Sequence, residues 1–316
     1  MKLVFLDAST LDRGDIDFSA LAAEGDLRAH PLTSAAEAPS RCAGAEVVIS
    51  NKVPVGKAVI DAAPELRLVV SAATGVNQID LAACQAAGIA VANVAGYSTE
   101  SVAQHTFALI LELATRAGTI SSTVRTDWPA SPIFTRLDHP LFELHGRTLG
   151  IVGFGGIGRA VARVGRAFGM EIIALSRDGA RPGEVPRLPA DEFFATADVV
   201  SLHCPLTAET ERMIDAERLA SMKPGALLIN TGRGPLIDEP ALAAALRSGH
   251  LGGAGLDVLS VEPPPADHPL LAPDIPNLII TPHTAWSTRE ARRRLLGGIV
   301  ADIRSFKEGG RLNRIV

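Results

Sequence analysis

Leu149-Gly150-Ile151-Val152-Gly153-Phe154-Gly155-Gly156-Ile157-Gly158 runs from a short apolar stretch into a G-x-G-x-x-G pattern at Gly153, Gly155 and Gly158. With 29 glycines in 316 residues, that spacing arises by chance roughly 0.2 times in such a chain, so its placement carries the meaning. It follows a predicted strand ending at Val152 and opens a predicted helix near Ile157. Strand, glycine turn and helix in this order read as the first turn of a dinucleotide-binding βαβ unit. Gly153 permits the tight turn, Gly155 lets the backbone approach a pyrophosphate, and Gly158 lets the helix pack closely on the strand. The helix N-terminus would offer free N–H groups to the phosphates. A glycine-rich turn without ligand is the alternative.

The next predicted strand, Ile172 to Leu175, leads into Ser176-Arg177-Asp178, where the adenosine ribose of a bound dinucleotide would be read. Ser176 stands closest to the strand end, and Arg177 can place a planar donor fork on a 2′-phosphate. That reading favours NADP(H). The competing reading puts Asp178, 20 residues after Gly158, on the ribose hydroxyls, with Arg177 solvated, and favours NAD(H).

Outward from this turn, short apolar runs alternate with Ala- and Leu-rich stretches, the pattern of parallel βα units. Strands are predicted near Val4–Leu6, Glu46–Ile49, Leu68–Ser71 and Ile89–Ala92. A second series follows at Leu149–Val152, Ile172–Leu175, Val199–Leu202, Ala226–Ile229, Gly255–Val258 and Leu278–Ile280. The class is α/β with two open parallel sheets. Ile79–Ala87 reads as helix, and Ser98–Gly118 as a long connecting helix with Thr99 and Ser101 available as caps. Trp128–His145 reads as an irregular, proline-punctuated excursion. Arg289–Phe306 is amphipathic, with Arg289, Arg292, Arg293 and Arg294 expected in solvent. If this last helix returns to the first sheet, the first domain is discontinuous: 1–98 with 286–316, around 99–285. A ligand cleft is expected between the domains, outside the carboxyl ends of the strands.

The chain is about twice the ~150-residue prior for one domain, in keeping with two. Apolar residues make up 47% and charged residues 21%, ample for a large core. A net charge of −5 gives no electrostatic reason to bind nucleic acid or an anionic membrane. Three cysteines without a CxxC argue against a disulfide framework or a zinc site, so no metal is expected. Met1 to Asp7 lacks the pattern of a signal peptide, and no apolar run reaches the ~18 residues of a spanning helix, so a cytoplasmic location is expected.

Three polar clusters follow predicted strands of the second series. In Asn230-Thr231-Gly232-Arg233-Gly234 an arginine between two glycines is suited to clamp a carboxylate in bidentate fashion, although an isolated loop arginine can equally be solvated. Leu256-Asp257-Val258-Leu259-Ser260-Val261-Glu262-Pro263 and Thr281-Pro282-His283-Thr284-Ala285-Trp286 place Glu262 and His283 21 residues apart, both after strands. Reduction of a ketone needs a proton donor as hydride arrives, and histidine titrates nearest neutrality. A neighbouring carboxylate favours the imidazolium and orients the ring. The plainer alternative is a histidine bonded to a loop and a glutamate capping a turn.

Taken together, Gly153–Gly158, Leu202-His203-Cys204-Pro205-Leu206-Thr207, Thr231–Gly234, Asp257–Pro263 and Thr281-Pro282-His283 resemble, in order and approximate spacing, the D-isomer-specific 2-hydroxyacid dehydrogenase family over essentially the whole chain. The resemblance implies a Rossmann cofactor domain and a discontinuous flavodoxin-like substrate domain. It implies NAD(P)H-dependent reduction of a small 2-keto acid to the D-2-hydroxy acid, and the reverse oxidation. Arg233 becomes the substrate-binding and catalytic arginine, Glu262 the carboxylate partner, and His283 the general acid/base. On the cofactor side it implies Val102, Gly156, Ile157, Pro205, Thr231 and Asp257, the last toward the nicotinamide amide. On the substrate side it implies Lys52 and Trp286, with Ala73, Thr74 and Gly75 offering backbone N–H groups to the substrate carboxylate. A homodimer built on the cofactor domain is also implied. Gly232 departs from the pattern, since many members carry Ala there.

Asn51-Lys52-Val53-Pro54-Val55, Gly96 to His105 and Trp286 most resemble bacterial glycerate dehydrogenases, also called hydroxypyruvate reductases, so hydroxypyruvate and glyoxylate are the expected substrates. The alternatives are another 2-hydroxy acid, of the 3-phosphoglycerate or D-lactate type, or a corepressor-like protein that senses the dinucleotide.

Overall fold

In a computed structural model that describes residues 1–176 and 185–316, the chain divides into two compact units, Met1–Ser98 with Trp286–Val316, and Thr99–Ala285. No helix among the described residues is long and apolar enough to cross a membrane.

The first unit is a five-stranded parallel sheet of β1 (Lys2–Phe5), β2 (Asp26–Ala29), β3 (Val47–Ser50), β4 (Leu68–Ser71) and β5 (Ala90–Asn93), in the order β2-β1-β3-β4-β5. This is the flavodoxin-like order. β3 and β4 are buried at every position, which is why they read as unbroken apolar runs with no alternation. Val48 pairs with both Val4 and Val69 across the sheet centre. β2 was not expected: Asp26-Leu27-Arg28-Ala29 is mostly exposed at the sheet edge and carries little apolar signal.

The C-terminal helix Arg289–Lys307 belongs to this unit, with Leu295, Ile299 and Ile303 fully buried in the core that also holds Phe5, Ile49 and Val70. Each such side chain contributes about 1.5–3 kcal/mol by leaving water. The expectation of four solvated arginines on this helix holds at Arg289, Arg293 and Arg294, which are exposed, and fails at Arg292. Arg292 is 11% exposed and donates through both Nη atoms to the Asp15 carboxylate at 2.6 and 2.7 Å, while Arg294 donates to the Tyr97 carbonyl at 2.7 Å. That bidentate pair holds Asp15 down at about 2.

The second unit has seven parallel strands: β6 (Thr148–Val152), β7 (Glu171–Leu175), β8 (Arg187–Leu188), β9 (Val199–Leu202), β10 (Leu227–Asn230), β11 (Gly253–Leu256) and β12 (Leu278–Ile280). Their order, β12-β11-β10-β9-β6-β7-β8, is doubly wound, and the chain reverses direction across the sheet between β6 and β9. Loops after the carboxyl ends of strands flanking such a switch point are where ligands bind. The connecting helix predicted for Ser98–Gly118 is Thr99–Thr115; a further helix that was not expected, Ala117–Asp127, follows after Arg116, whose φ of 52° is left-handed. Ser101 does not cap; its hydroxyl donates to the Ala285 carbonyl.

Candidate active site

The glycine turn after β6 separates into two kinds of glycine. At Gly153, φ is 93° and an added Cβ would lie 2.5 Å from the Cys204 nitrogen; at Gly158 it would lie 2.3 Å from the Gly153 carbonyl oxygen. Both are required by the protein's own packing. At Gly155, φ is −84° and an added Cβ would meet nothing within 4 Å. Nothing among the described residues requires glycine there, and the helix Gly156–Ala167 that follows has no side-chain cap on its N-terminus. A dinucleotide pyrophosphate fits both observations. Gly155→Ala should therefore fold with an unchanged Tm but bind dinucleotide at least about tenfold more weakly, read by fluorescence titration, whereas Gly158→Ala should lower Tm. Unaltered binding in Gly155→Ala would remove this glycine from the phosphate site.

Other expected cofactor residues lie on neighbouring elements of the same unit. Val102 is buried in the helix Thr99–Thr115, Ile157 is half-buried, and Pro205 is exposed after β9. Thr231 is buried, its hydroxyl 3.2 Å from that of Thr106. Ser176 is exposed at the end of β7, its amide bonded to the Leu188 carbonyl. Arg177 and Asp178 lie outside the described residues. Beside the turn, burial pushes the His203 imidazole down to about 4, so it is neutral, with Nε2 2.8 Å from the Ser201 hydroxyl.

The loop after β10 carries Arg233. Asn230 ties it at both ends, donating from Nδ2 to the Arg233 carbonyl at 2.8 Å and accepting from the Gly232 amide at 2.9 Å. The half-buried Arg233 side chain donates once, from Nη1 to the Gly232 carbonyl at 2.7 Å, and forms no ion pair with a described residue. Most of its donor fork is thus uncommitted.

Glu262 and His283 meet. Nδ1 of His283 lies 2.7 Å from Oε2 of Glu262; a carboxylate only accepts, so Nδ1 carries the hydrogen. Glu262 Oε1 accepts from the Leu259 amide of its own turn at 3.1 Å. Nε2 of His283 has no partner among the described residues. His283 is also a non-glycine residue at φ 53°, a conformation costing on the order of 1–3 kcal/mol that neighbours must hold. The holder is Asp257, 1% exposed. Its main-chain oxygen accepts from the His283 amide at 2.8 Å, Oδ1 accepts from the Thr281 hydroxyl at 2.6 Å and the Thr284 amide at 2.9 Å, and Oδ2 accepts from the Ala285 amide at 2.8 Å. His105, on the helix Thr99–Thr115, extends this chain, with Nε2 2.8 Å from Thr281 Oγ1. Asp257 was expected to face a nicotinamide amide; here its carboxylate is committed to the loop that carries His283. Nothing in the sequence assigns His105 or Thr281 a role, because their bonds span 176 and 24 residues; Asn230 acts locally, bonding two and three residues ahead.

In the first unit, the buried Asp7 carboxylate accepts from the amides of Asn51, Lys52 and Val53, fixing the loop that carries the exposed Lys52; burial raises Asp7, although those amides oppose it. The carbonyls of Ala73, Thr74 and Gly75 each accept an internal bond, from the Val94 amide, Asn93 Nδ2 and the Ser71 hydroxyl. Trp286 packs edge-on to Tyr97, ring centroids 6.3 Å apart. No cluster of three or more His, Cys, Asp or Glu among the described residues is arranged to hold a metal.

Residues 107–285 match the family model described as "D-isomer specific 2-hydroxyacid dehydrogenase, NAD binding domain". Among curated relatives, the chain is 39% identical to a hydroxypyruvate reductase of Blautia hydrogenotrophica, over 99% of each chain, and 37% identical to a glycerate dehydrogenase of Methylorubrum extorquens, over 98% of this chain and 96% of that one. Among solved structures, D-lactate dehydrogenase from Aquifex aeolicus, complexed with NAD and lactic acid, superposes with a TM-score of 0.85 at 31% identity, covering 100% of this chain and 99% of that one. The chain belongs to the D-isomer specific 2-hydroxyacid dehydrogenase family.

Proposed function

We propose that this enzyme reduces hydroxypyruvate or glyoxylate to D-glycerate or glycolate, with a nicotinamide dinucleotide as cofactor, and catalyses the reverse oxidation. The single observation that carries the reading is the His283–Glu262 pair at 2.7 Å, with Nε2 of His283 without a partner among the described residues. When bound, the nicotinamide supplies the hydride. His283 gives its Nε2 proton to the carbonyl oxygen while Glu262 holds Nδ1, and the uncommitted donors of Arg233 bind the acid's oxygens in bidentate fashion. We assign Ala73, Thr74 and Gly75 to the substrate carboxylate, with Lys52 and Trp286 as further substrate contacts. The names of the curated relatives support the substrate class.

The cofactor form proposed is NADP(H), on the strength of Ser176 at the exposed end of β7 and Arg177 directly after it in sequence. One assay tests substrate and cofactor together: 2-keto acids, with 3-phosphohydroxypyruvate and pyruvate among them, run with NADPH and NADH at matched concentrations. The highest kcat/KM is expected for hydroxypyruvate or glyoxylate, with a lower KM for NADPH than for NADH. Arg177→Ala should raise the KM for NADPH and leave that for NADH in place, since NADH has no 2′-phosphate to meet. A parent that prefers NADH, with Arg177→Ala silent and Asp178→Ala defective in NADH use, overturns the cofactor assignment.

A homodimer through the second unit is supported by the apolar side chains exposed in the stretch after the helix Ala117–Asp127, above all Phe134 at 89% and Leu137 at 81%. Phe134→Asp combined with Leu137→Asp should convert a dimer to a monomer in sedimentation, and an unchanged assembly would remove this face from the interface. A cytoplasmic location is proposed on the three unpaired cysteines.

A further inference from the structure

Behind the His283–Glu262 pair stands a second histidine–glutamate pair. Glu239 opens the helix Glu239–Arg247, yet its carboxylate does not cap that helix; the preceding Asp238 does so, accepting from the Ala241 amide at 3.1 Å. Glu239 is 8% exposed and its partner His268 6%. A buried carboxylate is costly unless fully hydrogen-bonded, so its partners indicate what its burial achieves. All of them come from the segment that carries Glu262: the Ser260 amide donates to Oε1 at 2.8 Å, the Ser260 hydroxyl donates to Oε2, and Nε2 of His268 lies 3.1 Å from Oε2. Nδ1 of His268 accepts from the Leu270 amide at 3.2 Å, so its hydrogen sits on Nε2 and points the donor at Glu239.

The connection to the reacting pair runs through adjacent amides of one turn. Ser260 N–H is held by Glu239, and Leu259 N–H holds Oε1 of Glu262, whose other oxygen meets His283. The same peptide lies directly on the Arg233 loop: a Cβ on Gly234 would fall 1.9 Å from the Leu259 carbonyl carbon and 2.3 Å from the Ser260 nitrogen. We propose that Glu239, fixed by His268, is a positioning residue for the reaction, locking the Leu259–Ser260 peptide so that Glu262 is held on Nδ1 of His283. This rests on the reading of His283 and Glu262 as the acid and its partner.

The test is a double-mutant cycle on the holoenzyme reducing hydroxypyruvate. Glu239→Gln keeps the shape but faces three donors with one acceptor and a donor of its own. It should lower kcat about tenfold, leave the KM for the dinucleotide unchanged, and move the alkaline limb of kcat/KM in the same direction as Glu262→Gln does. In a Glu262→Gln background the further loss should shrink to about twofold or less, because the pairing it positions is already gone. Ser260→Ala, which removes one donor from an exposed residue, should give a smaller loss with the same non-additivity, and it decides the matter if Glu239→Gln does not fold. Equal losses in both backgrounds, or no change in kcat or the limb, overturn the positioning role. If Glu262→Gln is itself without effect, the reading of the acid pair falls, and this inference with it.

Discussion

His283→Ala is expected to lower kcat for keto-acid reduction by about 100-fold or more, the scale of a lost general acid. Dinucleotide binding should change little, since the glycine turn after β6 involves none of its atoms. The expectation comes from the arrangement of the ring: one nitrogen is held by Glu262, the other meets no group among the described residues, and the backbone is kept at φ 53° by Asp257 and Thr281. His283→Asn separates chemistry from loop strain, because asparagine accepts left-handed backbone better than alanine. The same loss is expected in both. Near-parent turnover in a folded variant would take His283 out of the mechanism.

Arg233→Lys is expected to lower kcat/KM for the keto acid by at least about tenfold, or ~1.4 kcal/mol in the transition state, although it keeps one positive charge. Among the described residues the guanidinium donates a single bond, to the Gly232 carbonyl, and its donors share a fixed plane. An ammonium on a flexible stem can replace the charge or the loop bond, but not the planar fork. The Asn230 bonds that shape the loop do not involve the guanidinium, so the variant should fold with the parent's Tm. Steady-state kinetics with the favoured keto acid reads the outcome, and values equal to the parent's would reduce Arg233 to a loop-structuring role.

The buried strands were legible because a parallel sheet covered on both faces demands unbroken apolar runs, as in Val47–Ser50 and Val199–Leu202, which are buried throughout. The glycine turn was legible because its three glycines sit at fixed offsets between a strand and a helix. Arg233, Glu262 and His283 could be picked out as reactive types after strands, and the fold brings Glu262 and His283 into contact. What escaped was what depends on tertiary partners. β2 is an exposed edge whose composition gives no period, and the helix Ala117–Asp127 that follows Arg116 was not expected. Arg292 looked solvated because Asp15, which neutralises it, lies 277 residues away in sequence. Glu239 and His268 gave no reading from the sequence, because their separation of 29 residues leaves no local signature.

The central claim is that His283 donates the proton and that the Glu262 carboxylate, 2.7 Å from Nδ1, holds the ring for that task. Glu262→Gln keeps the shape and removes the negative charge beside the ring, so the pH dependence of the proton-donating step should respond to it. The pH profile of kcat/KM for ketone reduction, measured on the parent and on Glu262→Gln, tests this directly. The alkaline limb should move to lower pH in the variant; a limb that stays where the parent's lies, in a folded variant, would contradict the account.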